Sequence, residues 1–365
     1  MELLFFEQNH QEANQIRKKN TNDKKKMDYI RFIKMLSIDS TSSQERALAE
    51  HLAQEFATDK CTVEIMEVGD GTLNLLFSWG KPQIVFCSHL DTVPPYIAPT
   101  FDGETFRGRG TCDAKGQIWS LYQACLELEN RGYSDFGLLL LAGEETGSFG
   151  AKHFAKTHCG AKYLVVGEPT DNAMVSAAKG TKAFQVDVAG ISCHSGYPER
   201  GISAIENFID LANYLRSVDI PIDPVQGATT WNIGKLASDN PQNILSNHLA
   251  CRIYFRTTFA SDKFVTDMMA NIGSGSEPWR KYVSVQALGG DTPTRFLTVD
   301  GIPTTTVAFG SDAPHLTCFE HKMLCGPGSI TVAHTPLEMV TRHDLELATE
   351  QYVKIYESLI INKNI

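Results

Sequence analysis

Three short apolar runs, over residues 83–88, 137–142 and 163–167, each stop abruptly at a polar cluster. Runs of this length without internal polar residues are buried strands, covered on both faces. Between the first two lies the segment 117–130, where Ile118, Leu121, Tyr122, Cys125, Leu126 and Leu128 recur at helical spacing and Gly132 ends the pattern. Strand, helix and strand in that order require parallel pairing with a right-handed crossover. Upstream, Tyr29, Ile30, Phe32, Ile33 and Leu36 mark one amphipathic helix, and Leu48, Leu52 and Phe56 mark another over 43–56. The class is α/β, with a central, mostly parallel mixed sheet.

Near Thr181 the pattern changes. Phe184, Val186 and Val188 alternate with polar neighbours, as do Cys251, Ile253 and Phe255 with Arg252, Tyr254 and Arg256. Alternation of period two belongs to a sheet solvated on one face. With helices over 202–215 and 263–272 and strands near 229–236 and 282–288, the order is βαββαβ, a ferredoxin-like α+β unit. After Gly301 the α/β character returns, with 304–309 and 322–325 read as buried strands. Thr341 and Asp344 form a capping signal for a closing helix that runs to about Ile360. The expected division is a polar tail over 1–26, a catalytic domain over 27–178 and 291–365, and an inserted lid or dimerisation domain over 179–290. Met27 is a plausible functional start.

Composition narrows the partners. A formal charge of −10 opposes capture of a polyphosphate backbone. No apolar run approaches the roughly 20 residues of a membrane helix, and the N-terminus lacks the form of a secretion signal. The nine cysteines are scattered, with no C-x-x-C pair, as in reduced cytosolic proteins. The expectation is a cytoplasmic protein that binds neither nucleic acid nor membrane.

The polar clusters at the strand ends carry the chemistry. Ser88-His89-Leu90-Asp91, Gly143-Glu144-Glu145 and Gly167-Glu168-Pro169 terminate the three strands, and Gly110-Thr111-Cys112-Asp113-Ala114-Lys115-Gly116 lies in a turn before a helix. In open α/β sheets, ligands collect beyond the carboxyl ends of the strands. Singly, a histidine after a strand, an aspartate in a glycine-flanked turn or a glutamate pair has an ordinary explanation. Together on one rim their charge demands a cation. Imidazole with carboxylates and no thiolate suits zinc, with cobalt or manganese as alternatives.

His89-x-Asp91, Gly110-x-x-Asp113-x-Lys115-Gly116, Glu144-Glu145, Gly167-Glu168-Pro169-Thr170 and Ala333-His334-Thr335-Pro336-x-Glu338 resemble, in this order, the co-catalytic zinc deacylase and peptidase family. That family includes acetylornithine deacetylase, succinyl-diaminopimelate desuccinylase, aminoacylase and several di- and tripeptidases. The resemblance implies two divalent ions, one held by His89 and Glu168, the other by Glu145 and His334, with Asp113 bridging both. It makes Asp91 the partner of the His89 ring N–H and Glu144 the general base. The segment Gly190–Pro198 resembles the family stretch whose histidine, here His194, reaches toward the substrate carbonyl from the neighbouring subunit of a dimer formed through the inserted domain. Asn243 and Arg256 reproduce a spacing in which arginine grips the substrate carboxylate, although Asn247 and Tyr254 replace two acidic residues usual there. Gly310-Ser311-Asp312 resembles a loop near the substrate, with Ser311 as a binding residue.

The expected activity is removal of an acetyl or succinyl group from a small amino acid such as ornithine, citrulline or diaminopimelate, in amino-acid biosynthesis and in particular arginine biosynthesis. Glu168 in place of aspartate favours this over the family's aminopeptidases; a di- or tripeptidase is the alternative. A silent binding protein predicts loss of a ligand or of the base, and the motifs retain all of them. A thiol enzyme using Cys193 and His194 is disfavoured because adjacent residues of an extended segment point to opposite faces.

Overall fold

The computed structural model describes residues 29–69, 71–158 and 161–362; the expectations for the tail and for Met27 lie outside them. The chain divides into two compact units. One runs through Met174 and resumes with Val299–Pro303 and from Ser311 onward; the other comprises Val175–Thr298 and Thr304–Gly310.

The first unit is built on a six-stranded sheet in the order Thr62–Gly69, Thr72–Gly80, Asp135–Leu141, Ile84–His89, Tyr163–Val166, His321–Leu324. The last four run parallel, and the first two are antiparallel. All six side chains of Ile84–His89 are buried. The helix Lys115–Asn130 packs on Ile84–His89 and Asp135–Leu141 and lies beside the helix Arg342–Tyr356. It begins two residues before the expected segment, and Gly116 is required there: a Cβ would approach the Thr111 carbonyl oxygen to 2.1 Å. The antiparallel pair Thr62–Gly69 and Thr72–Gly80 was not anticipated, although Asp70-Gly71 is a hairpin dipeptide and Val63 and Ile65 alternate.

The second unit holds an antiparallel sheet in the order Thr230–Ala237, His248–Thr257, Gly180–Ala189, Val283–Gly289. Helices Ala204–Ser217 and Asp262–Ala270 complete the βαββαβ element order. Phe184, Val186, Val188, Cys251, Ile253 and Phe255 form the core with Leu211, Leu215 and Val265. The expectation of a buried strand over 304–309 needs correction. Thr304–Val307 is half exposed and forms an edge of a three-stranded sheet with Met174–Ala178 and Thr294–Arg295, mostly within the second unit. Three consecutive threonines explain this, because each hydroxyl needs a partner that an apolar interior does not supply.

No helix among the described residues is long and apolar enough to cross a membrane. The described cysteines form no disulfide with one another. The closing helix starts with a full capping box, in which Thr341 Oγ1 accepts the Asp344 N–H and the Asp344 carboxylate accepts the Thr341 N–H. Thr341→Ala removes one half of it and should lower stability by about 1 kcal/mol, read as an earlier midpoint in urea. An unchanged midpoint would mean that packing of the helix alone sets its start.

Candidate metal centre

The parallel strands end on one rim, and the loops leaving them carry the polar residues. His89 is the last residue of its strand and Asp91 follows two residues later. Gly143 turns the chain after Asp135–Leu141 with φ +67°, and a Cβ there would lie 1.7 Å from the Phe149 ring; only glycine allows this exit. Glu144 and Glu145 come next, and the Gly143 carbonyl accepts the Ser148 N–H at 2.8 Å, closing the loop. Glu168 follows Tyr163–Val166 in the same way. Asp113 sits in the turn before the helix Lys115–Asn130, at a cis peptide bond to Ala114. His334 lies in a turn with φ +62°, a left-handed conformation that costs a non-glycine residue roughly 1–2 kcal/mol.

Asp113 divides its two oxygens between two imidazoles. Oδ1 lies 3.0 Å from His89 Nε2 and Oδ2 lies 3.1 Å from His334 Nε2. His334 Nε2 is also 2.9 Å from Glu145 Oε1. Ligand atoms of His89, Asp113 and Glu145 lie within 4.8 Å of one another. Glu168 is buried, its Oε1 has no hydrogen-bond partner, and its electrostatic neighbours include His89, Glu144 and Asp113. The five residues expected to hold metal therefore converge, with Glu144 beside them.

The electrostatics are those of an anionic pocket. Burial first, and then neighbouring carboxylates against the opposing pull of His89, push Glu144 and Glu168 well above the usual carboxylate range. Burial drags the His89 imidazole down, but hydrogen bonds to Asp113 and Asp91 outweigh it and leave the ring well above its ordinary value. His334 is raised to about 10, chiefly by its hydrogen bonds to Asp113 and Glu145. Burial likewise opposes, and the two imidazoles overcome, so that Asp113 stays well below the carboxylate range. Two histidines and three carboxylates, one of them the shared Asp113 and another the Glu168 with its unpartnered buried oxygen, fit divalent cations of the zinc type.

Two buried carboxylates act on the backbone of this rim. Asp91 was expected to receive the His89 ring N–H. The nearer acceptor is instead the Asp91 backbone carbonyl, 2.8 Å from Nδ1, with the carboxylate at 3.5 Å. The carboxylate is engaged elsewhere, accepting the N–H groups of Glu144 at 3.0 Å and Glu145 at 3.2 Å. Glu338, paired with Arg109, accepts the N–H groups of Cys112 and Asp113. Its role was missed in the sequence, although it closes the Ala333–Glu338 motif. Asp312 was also missed as a site residue. It is buried, and burial above all, against the opposing pull of His89, raises it to about 7. The neighbouring Ser311 is buried, and its hydroxyl accepts the Ala313 N–H.

His194, Asn243 and Arg256 belong to the second unit. His194 is exposed, and its Nδ1 accepts the Gly196 N–H at 3.1 Å, so the neutral ring carries its proton on Nε2. The Ser195 N–H donates to the Asn243 carbonyl, which joins these two segments. The Arg256 guanidinium lies 5.0 Å from the centre of the Tyr254 ring; residues two apart on a strand share a face. The Cys193 thiol faces the Tyr197 and His194 carbonyl oxygens rather than an imidazole nitrogen.

Fold and site together define a metal-dependent hydrolase. The model of peptidase family M20/M25/M40 matches residues 85–358. A peptidase M20 domain-containing protein of Schizosaccharomyces pombe is 31% identical over 84% of this chain and 78% of its own length. A protein of Ajellomyces capsulatus named "Probable carboxypeptidase" is 31% identical over 88% of this chain and 84% of its own. The chain belongs to peptidase family M20/M25/M40. The fold is shared with aminopeptidase PepT of Bacillus cereus at a TM-score of 0.75 and 21% identity, over 91% of this chain and 98% of that one. It is shared also with a Bacillus subtilis protein described as a dinuclear metal binding peptidase of the M20 family, at a TM-score of 0.69 and 11% identity, over 93% and 99%.

Without bound cations, the raised imidazoles hold their protons at neutral pH, and a cation needs their bare nitrogens. Zinc loading should therefore release protons, and apparent affinity should climb as pH rises toward 10, the value to which His334 is raised. Calorimetric titration in two buffers of different protonation enthalpy checks this; heats independent of buffer would contradict it. By the same linkage, these ion pairs stabilise the cation-free fold fully below the ordinary imidazole value of 6.5 and cease to as pH passes about 10. Glu338→Gln keeps the side-chain shape but weakens the hold on Asp113. It should lower zinc affinity about 10-fold or more, measured by competition with a chelating dye.

Proposed function

We propose that the protein is a two-metal peptidase that hydrolyses the peptide bond to the C-terminal residue of short peptides. The observation that carries a two-ion centre is the division of Asp113 between His89 and His334. In this reading His89 and Glu168 hold one ion, Glu145 and His334 the other, and Asp113 spans both. Relatives named as carboxypeptidases support peptidase action over the N-acyl-amino-acid deacylase first expected. Glu168 fits a carboxypeptidase as well as a deacylase, since the expectation opposed it only to aminopeptidases. The two substrates also share their chemistry: each presents an amide whose leaving amine belongs to an amino acid with a free carboxylate.

When bound, the ions supply Lewis acidity and a water activated near neutral pH. Glu144 accepts the proton of the attacking water and returns it to the leaving amine nitrogen, so that water and amide become acid and amine. Burial suits it to this exchange, because a raised carboxylate holds a proton more readily at neutral pH. His194, with Nδ1 occupied by the Gly196 N–H, offers Nε2–H to the developing oxyanion. The resemblance assigns that histidine to the opposite subunit of a homodimer, a partner the proposal includes. Arg256 and Asn243 hold the substrate carboxylate, Arg256 through its planar fork, and Ser311 lines the leaving-residue side.

Dipeptides with a free carboxyl end should be hydrolysed faster than their C-terminal amides and faster than N-acetyl or N-succinyl amino acids, in a rate panel of all three. Faster release from the N-acyl amino acids would restore the deacylase reading. Glu144→Ala should cut turnover by about 10²–10⁴-fold with zinc content unchanged by elemental analysis; loss of metal would make Glu144 a ligand instead of the base.

A further inference from the structure

We propose that Ser42 is a positioning residue for Glu144, acting through Asp91; the inference rests on the reading of Glu144 as the base. Ser42 lies far from the metal motifs in sequence and belongs to none of them. Its backbone is nonetheless tied to the residue that follows Asp91. The Thr92 N–H donates to the Ser40 carbonyl at 3.0 Å, and the Ser42 N–H donates to the Thr92 carbonyl at 3.0 Å. This is a parallel bridge between Thr41 and Thr92. Held there, the Ser42 hydroxyl donates to Asp91 Oδ2 at 2.9 Å, with the Thr92 carbonyl a poorer acceptor at 3.5 Å.

Asp91 is fully buried, so its carboxylate depends on protein donors. Oδ1 accepts the Glu144 N–H and lies near His89 Nδ1; Oδ2 accepts the Glu145 N–H and the Ser42 hydroxyl. The His89 ring bonds chiefly the Asp91 backbone carbonyl, and the two N–H donors belong to the loop at the centre. Ser42 alone is anchored outside it. Its charge-assisted bond, the shortest that this carboxylate makes, sets the rotation of the carboxylate plane, and that plane sets where the Glu144 and Glu145 N–H groups rest. Without the hydroxyl, Oδ2 keeps one donor at 3.2 Å, the plane turns toward whichever donor is left, and the base-bearing loop loses its register. Correct placement of a base within fractions of an ångström governs turnover rather than substrate binding.

Ser42→Ala should lower kcat about 10-fold with KM changed by less than about 2-fold and with zinc content equal to wild type. Ser42→Thr keeps the hydroxyl and should recover most of the loss. Hydrogen exchange across residues 143–148 should quicken in the alanine variant, with or without zinc, and remain slow in the threonine variant. Unchanged kcat and exchange in Ser42→Ala, a loss of zinc that matches the loss of activity, or no recovery by threonine would each overturn the assignment. Should the wild-type protein cleave no peptide or N-acyl amino acid while the exchange pattern holds, the hydrolase reading fails and the loop-positioning role stands.

Discussion

Everything on this rim is organised by the cost of gathering buried carboxylates. Asp91, Asp113, Glu168 and Asp312 are buried, and Glu144 and Glu145 are half-buried, where they converge. Uncompensated, such groups are expelled or neutralised. Asp113 relieves the cost by offering one oxygen to His89 and the other to His334. A single carboxylate thus ties the end of a central strand to a turn more than two hundred positions later in the chain. A site of this kind holds positive charge by design, and the burial that makes it costly also makes it useful, since bound cations act most strongly in a low-dielectric setting.

A second level of order keeps the ligands in place. Asp91 and Glu338 are buried acceptors of paired backbone N–H groups, from Glu144 and Glu145 in one case and from Cys112 and Asp113 in the other. Loops have few internal bonds to fix them. A charged acceptor that takes two successive N–H groups fixes a loop as firmly as a helix end, because each bond is charge-assisted and shielded from competing water. Arg109 pairs with Glu338 and orients it, and Ser42 does the corresponding work at Asp91.

The peptidase family membership and the carboxypeptidase names among relatives favour a peptide over an acyl amino acid as the proposed substrate, and the chemistry of the bond is the same for both. An acetyl group and an aminoacyl group differ on the side of the amide away from the leaving residue. Specificity between them depends on what faces that side of the bond. Within the second unit, His194 already has its tautomer set by Gly196, and Arg256 has its guanidinium 5.0 Å from the centre of the Tyr254 ring.

The parallel strands, the crossover helix, the βαββαβ order and the polar side chains that meet at the strand ends were legible in the sequence, because each depends on local facts: an apolar run, a helical period, a polar cluster at a strand end. The hairpin Thr62–Gly69 with Thr72–Gly80 escaped because its burial is uneven, and Thr304–Val307 was misread because hydroxyls hide in a β-branched run. The tertiary structure alone decided that the Asp91 carboxylate holds a loop more closely than it holds a histidine ring, that Glu338 reaches back to Asp113, and that the Ser42 hydroxyl meets the Asp91 carboxylate. Those pairings join residues scattered from the start of the chain to its end. Sequence records which groups are present, but which donor meets which acceptor is settled only when the backbone has closed around them.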